Sequence, residues 1–146
     1  MANGGSRLII PIFGRLYQAL EPCAYIVLRV TSGATMATFG WSKLFVAGGM
    51  TRDVTLFHQL GIEPAVPLAY FTSGLEFFGG IMIAIGLLTR PVALMLVVEL
   101  LVILVAVMIP RGAGYQLTVV WIGAYLCILM RGGGKLSLDR LIGREF

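Results

Sequence analysis

Four apolar runs, each close to the length needed to cross a bilayer, constrain this chain more than any other feature. They are CAYIVLRVTSGATMATFGWSKLFV at 23–46, VPLAYFTSGLEFFGGIMIAIGLL at 66–88, PVALMLVVELLVILVAVMI at 91–109 and YQLTVVWIGAYLCILM at 115–130. A spanning helix needs about 20 mostly apolar residues, within a range of about 17–25. The first three runs meet that by length, and the fourth meets it only if the flanking glycines extend it. Charged residues make up 12% of the chain, against about 25% in soluble domains. Backbone groups in lipid must bond internally, so the runs are read as helices. The expected fold is all-α: an integral membrane four-helix bundle, with residues 1–146 as a single transmembrane domain.

The links between runs are short. Thr89-Arg90-Pro91 is a tight polar link, with Pro91 suited to a first helical turn. Pro110-Arg111-Gly112 closes the third run. A longer link at 47–65 holds an amphipathic piece, 52–60, expected as a short surface helix. Residues 7–21 are expected to form an N-terminal interfacial helix. A cleaved signal peptide is disfavoured there, because the apolar stretch is long, carries Arg29 and lacks a clean small-x-small site.

Orientation follows from the basic residues. Arg7, Arg15, Arg90, Arg131, Lys135, Arg140 and Arg144 share the side of the termini, against Lys43, Arg52 and Arg111 on the other. Both termini are therefore expected in the cytoplasm. The net charge of +4 then lies against anionic head groups, and no nucleic-acid partner is implied.

Three ionisable residues fall inside the runs: Arg29, Glu76 and Glu99. At about 1.5 Å of rise per residue they sit roughly 9, 18 and 12 Å from the cytoplasmic end. Intramembrane charges mark functional or assembly sites. One cation cannot answer two acids. The expectation is an intramembrane ion pair of Arg29 with Glu76, with Glu99 neutral or facing a polar neighbour. Thr72 and Ser73, one turn before Glu76, are placed to hydrogen-bond its carboxyl. Glu76 and Glu99 are candidate proton sites, and no catalytic residue is assigned. Gly33, Gly40, Gly79 and Gly80 are read as helix-packing positions, Gly33 and Gly80 opening small-x-x-x-small spacings with Ala37 and Ala84.

Other chemistry is sparse. Cys23 and Cys127 read as buried thiols. His58 is the only histidine, and no metal-ligand spacing appears. Trp41, Tyr70, Tyr115 and Trp121 read as interfacial anchors, with Trp41 and Lys43 as alternative lining for an outer cavity.

The succession FGWSKLF at 39–45, LGIEP at 60–64, GLEFFGGIMIAIGLLTRPVALML at 74–96 and GGGKLSLD at 132–139 resembles the DoxX family of small four-helix membrane proteins. The resemblance runs from about residue 25 to 140. It implies a multi-pass protein of a bacterial or archaeal plasma membrane. Some relatives are subunits of a thiosulfate:quinone oxidoreductase. Arg29, Lys43, Glu76 and Arg90 match the family's polar pattern, whereas Glu99 departs from it. The leading functional expectation is an accessory or anchoring subunit of a larger membrane-bound redox complex, not catalytic alone, with other membrane-protein subunits as partners and no cofactor within the chain. The first alternative is a quinone-interacting oxidoreductase subunit using Glu76 and Arg29, with quinone as its cofactor. The second is a small-solute transporter, disfavoured because no inverted repeat or broken helix is evident.

Overall fold

A computed structural model describes residues 11–134 and 136–143, with side chains from Leu20 onward. The described residues are all helical or loop, with no strand. The chain runs through α1 (Pro11–Leu44), α2 (Gly49–Gln59), α3 (Ala65–Gly74), a π-helical turn (Leu75–Gly79), α4 (Gly80–Ile85), α5 (Thr89–Ile103), a second π-helical turn (Leu104–Met108), α6 (Gln116–Arg131) and α7 (Leu138–Ile142).

Two helical stretches are long and apolar enough to cross a membrane, Ala65–Ile85 and Thr89–Met108. The first is α3, the π turn and α4 in continuous succession. The second is α5 with its π turn. Helix α6 is apolar but shorter. Helix α1 has 34 residues, about 51 Å at the usual rise.

The interfacial helix expected at 7–21 is not a separate element. From Pro11 its residues run directly into α1, with Pro22 inside the helix. A lone proline removes one backbone bond and bends a helix without necessarily ending it, and no glycine follows it until Gly33. The remainder of that expectation, residues 7–10, lies outside the described residues. The surface piece expected at 52–60 forms as α2, starting slightly earlier at Gly49.

Helix α1 packs along α4 and the first π turn, and α5 packs along α6. The core is a cluster of Tyr25, Met36, Ile83, Val92, Ala93, Leu96, Val97, Leu100, Tyr125 and Ile128. The polarity is inverted relative to a water-soluble domain. Val27, Phe39, Phe78, Val98, Val105, Val120 and Met130 are exposed, while Arg29, Ser32, Ser73, Glu76, Thr89, Glu99, Thr118, Ser137 and Asp139 are buried. Water as solvent would favour the reverse. Lipid favours this arrangement, because polar groups there must find partners inside the protein.

Contact between α1 and α4 is set by small residues. A Cβ on Gly33 would come within 2.5 Å of the Gly80 carbonyl oxygen, and one on Gly80 within 2.5 Å of the Ala37 nitrogen. Further along, a Cβ on Gly40 would meet the Phe77 backbone at 2.3 Å. Gly79 differs, facing the side chains of Leu75 and Val92. These contacts fix an antiparallel register in which each step along α1 from Gly33 to Gly40 is a step back from Ala84 toward Phe77.

Candidate functional site

Two polar centres lie at opposite ends of the α1–α4 contact. The first is built on Lys43, the last cation of α1. Its Nζ donates to Glu76 Oε1 at 2.7 Å and lies 3.4 Å from Asp53 Oδ2 on α2. Ser73 Oγ donates to the same Asp53 oxygen at 3.5 Å. Thr72 donates to the Ala69 carbonyl, so neither hydroxyl serves Glu76 as expected. Glu76 itself sits in the π turn. Such turns widen a helix locally and recur at functional positions.

The expected Arg29–Glu76 pair does not form. Glu76 is paired with Lys43, and Arg29 is directed elsewhere. The physical reason is register: glycine contacts place Gly40 at the level of Phe77, so Lys43, one turn further, meets Glu76. Arg29 lies 14 residues back along α1, about 21 Å away. Depth from the membrane face brought the two charges near one another, but depth carries no information about which residues oppose each other.

Glu99 projects from α5 toward the same centre, close enough for charge interactions with Glu76, Lys43 and Asp53. It is 8% exposed, and neither carboxyl oxygen has a hydrogen-bond partner. Glu76, 5% exposed, also keeps Oε2 unpartnered. Lys43 and Asp53 are more open, with side chains 26% and 18% exposed. Asp53 reaches a shallow cleft of about 760 Å³ that is also lined by Thr51, Arg52, Thr55, Gln59 and Arg111. Trp41 lies beside this centre, packed against Phe45 and Phe77 with ring centroids 4.4 and 5.8 Å away.

The second centre is built on Arg29, which is 2% exposed. Its guanidinium donates to the carbonyl of Gly133, to that of Leu136 at 2.7 Å and to that of Ala84 at 3.4 Å. Tyr25 donates from its hydroxyl to the Gly132 carbonyl. Arginine's fixed fork suits several acceptors at once. The carbonyls it serves belong to the end of α4 and to the segment after α6, where helical partners run out.

That segment is tied down a second time by Asp139. Its carboxylate accepts from Leu88 N at 2.7 Å, from Thr89 N at 3.0 Å and from Thr89 Oγ1 at 2.9 Å. It thereby caps the start of α5, a role that carboxylates fill well. Leu88 has φ of 47°, a left-handed conformation uncommon for a residue with a side chain, and its N–H is one of those Asp139 holds. Gly86, at φ 76°, ends α4, and Leu87 N bonds back to Met82 O at 2.8 Å. A Cβ there would meet Ser137 Cβ at 2.6 Å and Arg29 Nη1 at 2.8 Å. Glycine is thus required at 86 by conformation and by space. Ser137 caps α7 by accepting from Arg140 N, and Arg90 packs beside Gly132.

These contacts join GLLTR to SLD across fifty residues. The DoxX family model matches residues 24–109, which include Arg29, Lys43, Glu76 and Arg90. The chain belongs to the DoxX family. It is a membrane protein of that family, consistent with its apolar helices and inverted polarity. No curated protein and no solved structure matches it. In this DoxX chain the polar residues predicted from sequence divide between the two centres: Lys43, Glu76 and Glu99 at one, Arg29 and Arg90 at the other. Asp53, Tyr25, Thr89 and Asp139 were missed as site residues. A signal for Asp139 was present in the quoted SLD, whose serine opens a short helix with an acid in its first turn. Cys23 and Cys127 are free and exposed on the apolar surface, not buried as expected.

Proposed function

We propose that this chain is a multi-pass, four-helix bundle of a bacterial or archaeal plasma membrane, with both termini cytoplasmic, that serves a larger redox complex as an accessory or anchoring subunit. One observation supports this above others. Arg29, Lys43 and Asp139 each bind a different element of the same chain. Buried charges used in this way fix helix register and make a rigid frame for docking. The excess of basic residues on the side of the termini supports the orientation.

Native mass spectrometry of the tagged protein, released gently from its own membranes, tests the reading. Arrival with stoichiometric redox subunits is the expected result. Arrival alone, or as a homo-oligomer, sinks it.

A second reading is a quinone-interacting subunit. It is favoured by the free Glu76 Oε2 and the partnerless Glu99 carboxyl. In it Lys43 takes the place first given to Arg29, whose fork is already engaged with carbonyls. A quinone-sized mass on the isolated protein, lost in Glu76→Gln, is the result this reading requires.

A further inference from the structure

Glu99 is the one buried acid in the first centre that the packing does not account for. Lys43 answers Glu76 and Asp53. Nothing among the described residues answers Glu99. An ionised carboxylate without a hydrogen bond is untenable in an apolar interior. Among the described residues no three His, Cys, Asp or Glu side chains converge as a metal ligand set. A bound proton neutralises the carboxyl where it stands.

Along α5, the surroundings of that proton are apolar on one side and polar on the other. Toward the Arg29 end, α5 continues into Leu96, Ala93 and Val92, packed with Met36 and Ile83 in the apolar core. No buried polar side chain of α5 lies in that stretch before Thr89. Toward the other end, polar groups lead from the interior to the cleft. Glu76 Oε2 is free to accept, Glu76 Oε1 holds Lys43, and Lys43 lies beside Asp53 at the cleft wall. The ionisable groups around Glu99 are Lys43 from α1, Asp53 from α2, Glu76 from the π turn and Tyr125 from α6. Tyr125 is committed, donating to the Ser32 carbonyl at 3.2 Å.

We propose that Glu99 is a proton-exchange site of the membrane interior, connected through Glu76, Lys43 and Asp53 to the aqueous cleft beside α2. The steps balance. Lys43 gives a proton to Asp53, which releases it to water in the cleft. Lys43, now neutral, takes the proton that Glu76 has received from Glu99 through water. One proton leaves Glu99, the other three groups return to their starting states, and the ionised Glu99, untenable where it stands, is reprotonated from the cleft at once. Uptake is the reverse. The inference does not depend on membership of a redox complex.

Infrared spectroscopy of the protein in lipid nanodiscs tests it. A protonated carboxylic acid gives a C=O stretching band that moves when its proton is replaced by deuterium. The wild type is expected to show such a band, and Glu99→Gln to lose it. If that variant does not assemble, Glu99→Asp assigns the band by moving it. Asp53→Asn lies at the cleft edge and is expected to keep the band but to slow its response to D2O about a hundredfold. A spectrum in which neither Glu99 variant alters any carboxylic acid band overturns the proton assignment. Wild-type exchange kinetics in Asp53→Asn overturn the route. A protonated but purely structural Glu99 would give the band and leave its exchange rate unchanged in Asp53→Asn.

Discussion

Asp139 holds the backbone N–H groups of both Leu88 and Thr89, bridging fifty residues of chain to cap α5. It is 3% exposed, so water does not replace it when it is lost. Asp139→Ala leaves these donors unsatisfied, at a cost of about 1–3 kcal/mol for a buried group, and releases the left-handed Leu88. The expected outcome is a clear fall in the thermal unfolding midpoint in detergent. Asp139→Asn keeps an acceptor for one N–H but turns an amide toward the other, and is expected to fall between the two. An unchanged midpoint in Asp139→Ala would remove the cap from the account of stability.

Helices were legible in this sequence because lipid demands long apolar runs, and the runs at 66–88 and 91–109 coincide closely with Ala65–Ile85 and Thr89–Met108. The pairing of charges was not read correctly, although its signal was present. Gly33-x-x-x-Ala37 laid antiparallel on Gly80-x-x-x-Ala84 sets Lys43 opposite Glu76 and sends Arg29 toward Ala84. Counting depth alone missed this. Asp53 was harder to find, because its place depends on how the 47–65 link folds back, and no periodicity within that link records it. Arg29's partners were illegible for another reason: they are backbone carbonyls, which every residue carries.

The pairing is open to a direct test by double-mutant cycles. Lys43→Met and Glu76→Gln remove the two halves of one buried interaction. Their effects on unfolding are expected to be coupled by about 0.5–3 kcal/mol. Arg29→Met and Glu76→Gln are separated by roughly 21 Å along the bundle, and are expected to add within about 0.5 kcal/mol. Coupling in the second cycle and additivity in the first would restore the arginine as partner.

Arg29→Lys keeps the charge but loses the fork. One ammonium cannot reproduce the spread of donors that reaches Gly133, Leu136 and Ala84. The segment after α6 is expected to loosen, seen as faster amide exchange across residues 136–142 while α5 and α6 stay protected. Arg29→Met should loosen it further, because three carbonyls then lose their donor. Exchange that is unchanged in both variants would mean that Tyr25 and Asp139 hold the segment without help.

Gly80→Leu drives a side chain into the α1 backbone, where even a Cβ would lie 2.5 Å from Ala37 N. Backbone cannot yield as a flexible side chain does, so a loss of at least about 1–3 kcal/mol is expected, read as a lower unfolding midpoint. Gly123→Ala is the control. Gly123 lies in α6 with nothing within 4 Å of its missing Cβ, and alanine favours helix by up to about 1 kcal/mol. A comparable loss in both variants would show that helix flexibility, not close approach, is what glycine supplies.

Outside the long apolar helices, Glu63 precedes α3 and accepts from Ala65 N at 2.9 Å, with His58 Nδ1 at 2.5 Å from its other oxygen. The Ala65 N–H and His58 together hold its carboxyl below the ordinary value of 4.5. Folding therefore favours the ionised form. The contribution is fully present above the unfolded value and is lost as pH falls through the lower folded one. Protection of the Ala65 amide and the first turn of α3 against exchange, relative to the unfolded chain at the same pH, is expected to fall over that acidic window. Glu63→Gln should show low protection at every pH, because the charged acceptor is gone. His58→Ala should narrow the window without abolishing it, since the larger influence comes from the Ala65 N–H. A window of the same width in both His58→Ala and the wild type would remove the histidine from the contact.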